Sequence, residues 1–232
     1  MKYRYVRQGH HRPRRYTQRW VLVLTGALSA WALAACGPPA LKEGTTVAGC
    51  TIAEGASCPG ADLSHLNLSK VDLNHADLSG ADLSGADLSG ATLWFTNLSG
   101  ANLSGANLSS VRLTQSNLSN ATMTHVNLTS SGMSPTYLTG ADLTGTDLTG
   151  ADLDSAMLDD ANMTDTNLTN ANLENVSGLS GATIEGSDFT GANLRFTTKF
   201  AQYLNSTCPD GSASSDHSNY CQDVPVPARW ST

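Results

Sequence analysis

The sequence predicts an all-β fold, a parallel β-solenoid made of very short straight sides, on two observations. The first is a five-residue period that runs from Ala61 to Asn175 with almost no slippage: Ala-Asp-Leu-Ser-Gly stands at 81–85 and 86–90, and Ala-Asn-Leu-Ser-Gly at 101–105. A period this short, held this long, decides the architecture. The second is what the period carries. Every fifth residue from Leu63 to Leu173 is Leu at 20 places and Met at 3 (Met123, Met133, Met163), and two residues earlier stand 13 Ala, 4 Thr, 3 Val, 2 Ser and Leu66. Asp (8 places) or Asn (9 places) precedes most centres, and a polar pair, often ending in Gly, follows them.

An α-helix is excluded, because five residues advance roughly 500° around it and the Leu series would spiral over every face. In an extended strand, residues two apart share a face. The small residue and the Leu therefore point inward together, the Asp or Asn and the polar pair face water, and the pair turns the chain. The inward set includes Leu63, Leu83, Leu88, Leu103, Leu108, Leu118, Met123, Leu128, Met133, Leu143, Leu148, Leu153, Met163, Leu168 and Leu173.

Tandem A(D/N)LXX units resemble the pentapeptide-repeat family over Ala61 to Leu194. The resemblance implies a right-handed quadrilateral parallel β-helix with four units per coil, so that residues 20 apart stack. After Leu173 the register slips by one, to Leu179, Ile184, Phe189 and Leu194, which gives about seven coils. The extra residue beside Gly178 implies a bulge. The family carries several roles on one scaffold, so the likeness specifies fold more sharply than function.

The first 19 residues hold seven basic residues and no acid, and an apolar run follows from Trp20 to Ala35. Basic, then apolar, then small residues read as a helical secretory signal over 1–35, and sixteen apolar residues are short for a membrane span. The run ends Leu33-Ala34-Ala35-Cys36, which resembles the lipobox of bacterial lipoproteins: small residues fit the peptidase cleft, and the Cys36 thiol accepts diacylglycerol. The alternatives are an ordinary cut after Ala32 or Ala34, or an uncleaved anchor. Lipidation implies an exported protein held at the outer side of a bacterial membrane. Residues 36–232 keep six basic and all 20 acidic residues, a formal charge of −14 against −7 for the whole chain. Such a surface repels nucleic acid and anionic lipid, so no nucleic-acid partner is expected.

Residues 36–49 read as a tether, 50–60 as an N-terminal cap, 61–194 as the β-helix, and 195–232 as a C-terminal cap and tail. Besides Cys36, four cysteines form two local pairs, Cys50 with Cys58 and Cys208 with Cys221. In an exported chain they predict two disulfides, each worth about 2–3 kcal/mol. A parallel solenoid leaves a bare strand edge and an open apolar axis at each end, which these closures would cover. Cys58 falls on the repeat register. Free thiols or metal ligands are the alternative.

Departures from the code gather on one face, where Trp94 and Phe95 replace the usual Ser-Gly, Arg112 replaces Asp or Asn, and Gln115 follows; Tyr137 points outward on the next face. These five residues either form a binding patch for an unknown protein or glycan, with Arg112 near the Trp94 ring, or cover a locally thin wall. No nucleophile elbow, phosphate loop or zinc-protease motif is present, and His65, His75 and His125 fall on separate faces or coils. Catalysis, a metal and a cofactor are therefore not expected. The Asp and Asn columns read as solvated walls, with Asn easing repulsion between stacked Asp. The functional expectation is a lipid-anchored structural or binding rod outside the cytoplasm. The alternative borrowed from the resemblance is an acidic mimic of duplex DNA acting on gyrase.

Overall fold

The computed structural model describes residues 39–195, 203–214 and Cys221. The expected helical signal segment over 1–35 and Cys36 lie outside the described residues. Parallel ladder pairs join residues twenty apart on consecutive sides, Asp62 to Asp82, Asn67 to Asp87, Asp72 to Thr92 and Asp77 to Asn97. Four five-residue sides thus close one coil, and the coils stack about 4.8 Å apart. We number the faces from the inward residues that begin them: Leu63, Leu68, Leu73 and Leu78. All fifteen predicted core residues named above are at most 1% exposed.

The backbone hydrogen bonds explain why so short a side is stable. In the unit 82–86, Asp82 N donates to Ala61 O (2.9 Å), Leu83 N to Asn102 O (2.7 Å), Gly85 N to Ser104 O (2.9 Å), and Ala86 N closes the turn onto Leu83 O (3.0 Å). The fifth amide, Ser84 N, has no carbonyl to reach and donates to Asp82 Oδ1 (3.0 Å). The same side-chain bond recurs at Ser104 to Asn102 (3.1 Å), Thr129 to Asn127 (3.1 Å) and Thr149 to Asp147 (3.0 Å). The residue before each Leu is therefore a half-buried acceptor, not the solvated wall that alternation alone implies. Its preference for Asp or Asn is that of an Asx turn. Between coils, Asn97 Nδ2 donates to Asp77 Oδ1 (3.0 Å) and Asn172 Nδ2 to Asp152 Oδ1 (3.0 Å).

The small inward residues do more than leave room. Thr96 Oγ1 donates to Leu73 O (2.8 Å), Thr136 Oγ1 to Leu113 O (3.0 Å) and Thr166 Oγ1 to Leu143 O (3.0 Å), and Ser116 Oγ bonds Leu93 O. A buried hydroxyl is thereby satisfied at a carbonyl of the coil below, as burial requires.

At the N-terminal end, β1 (Thr46–Val47) pairs antiparallel with β2 (Cys50–Thr51) through a turn in which Ala48 and Gly49 both have positive φ, the signature of a tight primed hairpin. The stretch read as a tether up to residue 49 thus folds into the cap from its middle onward; Leu41 N also donates to Asn67 O (2.8 Å) and Leu41 packs against the core. Cys50 and Cys58 are joined with their Cα atoms 5.1 Å apart, and Cys58 N bonds Asp77 O (2.7 Å), so Cys58 occupies an inward ladder position.

Near the other end, Met157 pairs with Ser177, twenty residues on, but Asn162 pairs with Thr183, twenty-one on. The extra residue sits beside Gly178, whose φ is 72° and where a Cβ would meet Asp159 Oδ2 at 2.1 Å. The code breaks at Arg195, yet the chain returns to the ladder. The strand β3 (Ile184–Glu185) pairs in parallel with β4 (Tyr203–Leu204), and Phe189 N donates to Thr207 O (2.9 Å). Cys208, fully buried, is bonded to Cys221 with Cα atoms 5.1 Å apart. The final closure is thus a partial coil and not simply an overlay.

Leu108 is wholly buried at mid-rod. Leu108→Asp should destabilise the rod by several kcal/mol, the order expected for an unpaired charge in an apolar interior; a thermal melt followed by circular dichroism matching the wild type would refute the inward assignment.

Candidate functional site

Four large hydrophobic side chains stand exposed among the described residues: Trp94 (40%), Phe95 (51%), Tyr137 (41%) and Met157 (41%). All four lie on the third and fourth faces or the corner between them. That corner differs from the other three. Above Gly55 of the cap, its second turn position reads His75, Phe95, Gln115, Pro135, Ser155 and Asn175, whereas each other corner carries two or three glycines within the repeat. Phe95 holds φ at 58°, a left-handed conformation that costs a residue with a Cβ about 1 kcal/mol.

The side chains here are held, not splayed. The Phe95 ring stacks on His75 in the coil below, with centroids 5.0 Å apart and planes 7° from parallel. Trp94 N donates to Asn74 Oδ1 (2.8 Å). Arg112, one coil up, places Cζ 5.9 Å from the Trp94 ring centroid. Gln115 is exposed, and its backbone N–H donates to Pro135 O (2.5 Å). Pro135, which has no amide hydrogen, breaks the bonding of the corner next to Tyr137. Trp94, Phe95, Arg112 and Gln115 thus form one cluster, and Tyr137 with its ladder partner Met157 continues it diagonally up the fourth face. The His75 stack is the member that sequence reasoning missed, although the twenty-residue spacing of 75 and 95 was a signal for it.

A further feature singles out these faces, and a second runs around the whole rod. Six units lack Asp or Asn before the centre, at Thr92, Arg112, Thr122, Gly132, Tyr137 and Met157, and five of the six are on the third and fourth faces. These units lack the local Asx acceptor for the turn amide, and at Trp94 the Asn74 Oδ1 of the coil below takes its place. Charge is also segregated: from Leu88 to Ala141 there is no Asp or Glu, and Arg112 is the one Lys or Arg. On the third and fourth faces, Asp72 and Asp77 lie below this belt, and Asp152, Asp154, Asp159 and Asp160 lie above it.

The remaining sites are dispersed. His65 and His125 lie over Gly85 and Gly145 in the next coils, three coils apart, and His75 is at another corner. Asp77 is held below the usual carboxylate range by the Ser79 hydroxyl and then the Ser79 amide, and Asp82 by the Ser84 amide and then its hydroxyl.

A square rod of Leu-centred five-residue units, closed by disulfides and bearing one differentiated corner, defines the class. The chain belongs to the pentapeptide-repeat family: the family model described as pentapeptide repeats matches in eight copies over residues 56–94, 96–133 and 136–175. Among solved structures it is similar to HetL of Nostoc sp. strain PCC 7120, a protein involved in heterocyst differentiation regulation. That similarity is 30% identity over 68% of this chain and 86% of HetL, with a TM-score of 0.27. A pentapeptide repeat protein of the Arabidopsis thaliana thylakoid lumen shares 29% identity over 60% of this chain and 87% of its own, with a TM-score of 0.28. QnrB1, a plasmid-mediated fluoroquinolone resistance protein, shares 18% over 67% of this chain and 87% of its own, with a TM-score of 0.46. No curated protein matches the chain.

Two outcomes follow for this site. Phe95→Gly relieves a left-handed Phe worth about 1 kcal/mol and loses a ring stack worth about 0.5–1.5 kcal/mol. Its melting temperature should therefore stay within a few degrees of wild type, and a large drop would show that the ring is structural cover. Because the Asp82 carboxyl is depressed in the folded state, its contribution is present at neutral pH and is lost as pH falls below the ordinary carboxylate pKa of about 4. Wild type should therefore lose stability relative to Asp82→Asn between about pH 4 and pH 2; parallel pH profiles of the two would contradict this role.

Proposed function

We propose that this protein is a non-catalytic rod, anchored by a lipid on Cys36 to the extracytoplasmic side of a bacterial membrane, that acts as a structural or binding module. The reading is supported by the two disulfides, one at each end of the described rod, together with the basic-then-apolar segment ending Leu33-Ala34-Ala35-Cys36, which we read as an export signal. Disulfides persist in oxidising compartments, and a triacylated cysteine holds a protein that an anionic headgroup would otherwise repel. Among the described residues, His65, His75 and His125 are spread around the tube, which supports a non-catalytic reading. The competing reading, an acidic mimic of duplex DNA, is supported by the charge of −14 but calls for negative potential along the whole rod. The belt from Leu88 to Ala141 interrupts it.

In a bacterial host fed radiolabelled palmitate, the wild-type precursor should be shortened and labelled, and Cys36→Ala should be neither. Equal labelling of the variant would overturn the anchor, and inhibition of gyrase supercoiling by the purified protein would favour the mimic.

A further inference from the structure

We propose that the corner between the third and fourth faces is a docking stripe for a protein surface that has an apolar centre and Lys or Arg at both ends. The inference deepens the binding-module reading and rests on it, but does not depend on the anchor.

Three independent features point to it. The exposed side chains are Trp94, Phe95, Arg112, Tyr137 and Met157, the residue types that dominate protein interfaces and their energetic centres. They are also pre-organised. One side of the Phe95 ring is engaged by His75 at 5.0 Å and one side of Trp94 by Arg112 at 5.9 Å, so little side-chain freedom remains to be lost on binding.

The second feature is that the fold pays for the display here: five of the six units without an Asx acceptor, and the corner that has no glycine from His75 to Asn175, coincide with the stripe. Such positions are not required by the helix, which uses Asp-Leu-Ser-Gly readily elsewhere. The third is charge. Asp72 and Asp77 lie one coil below Trp94 and Phe95, and Asp152, Asp154, Asp159 and Asp160 lie one coil above Tyr137, level with Met157, four coils or about 19 Å apart. No acid lies in the belt between. A partner with basic ends about that far apart is steered onto the apolar centre, and an anionic partner is turned away.

The test pans phage-displayed random 20-residue peptides against the full chain in detergent and compares three proteins. These are wild type, Trp94→Ala with Phe95→Gly, and Asp152→Asn with Asp154→Asn, each checked for an unchanged melt. Selected peptides should carry an apolar or aromatic core with Lys or Arg at both ends. Their Kd should rise at least about tenfold for the aromatic variant, the loss expected of an interface anchor. It should rise severalfold for the acidic-end variant at low salt, with that difference vanishing in about 0.5 M salt as screening takes hold. Peptides that bind the aromatic variant as well as wild type, a selection with no basic-ended pattern, or no selectable peptide would overturn the proposal. Binding of cellohexaose or chitohexaose abolished by Trp94→Ala would assign the stripe to glycans instead. A palmitate-labelled, membrane-held protein that fails the peptide test would leave the anchor standing and remove only the stripe.

Discussion

The rod depends on where five amide hydrogens go. A side of five residues that spends two of them turning a corner is too short for an ordinary strand ladder. Four amides of each unit reach carbonyls of the same or the adjacent coils, and the fifth is left at the turn. Asp82 Oδ1, and its equivalents up the rod, take that fifth bond. Since buried or half-buried amides are costly to leave unpaired, the Asp or Asn is as much part of the architecture as the Leu beside it. Leu fills the axis; Asx makes the corner possible. Asn then adds a second use, because its Nδ2 donates to the carboxylate one coil below, so a column can hold Asp without stacking bare charges.

That constraint also explains which positions are free to change. At Arg112, Gly132, Tyr137 and Met157 the unit has no Asx acceptor, and the turn residues that follow the centres, Thr114, Ser134, Thr139 and Asp159, are half-buried. The cost is small beside the apolar burial of the centre next to it, since Leu113, Met133, Leu138 and Leu158 remain buried to 1% or less. The inward half of the code and the outward half are thus energetically separable. A rod can hold a rigid core while one edge varies.

The fold was legible because a period of five is incommensurate with a helix and matches a short strand plus a turn; even Cys58, five before Leu63, sat on the register that the ladder uses. What alternation alone does not reveal is hydrogen-bond destination. It assigns Asp82 and Asn102 to solvent because they point outward, although their oxygens turn back to the chain, and it assigns Thr96 and Ser116 to mere smallness, although their hydroxyls bond carbonyls. The start of the cap at Thr46 was hidden because a two-residue hairpin strand has no periodicity to detect. The return at Thr207 was hidden because the intervening segment breaks the code. Within the candidate site, the column membership of Trp94, Phe95 and Arg112 could be read off by counting in twenties. The same count places His75 under Phe95, but the parallel ring stack depends on side-chain directions at a left-handed corner, which counting does not give.

Net charge deserves the same local reading. A value of −14 suggests a uniformly anionic cylinder, yet the acids fall into two zones and the coils between them carry one Arg and no carboxylate. In water with about 0.15 M salt, screening acts over about 8 Å, less than two coil spacings. A partner touching the middle of the rod therefore meets an almost neutral surface, whereas its ends meet carboxylates. The potential along the rod is set by which coil is approached, so the order of Asp and Asn in the repeat, which hardly alters the core, decides what can rest against the outside.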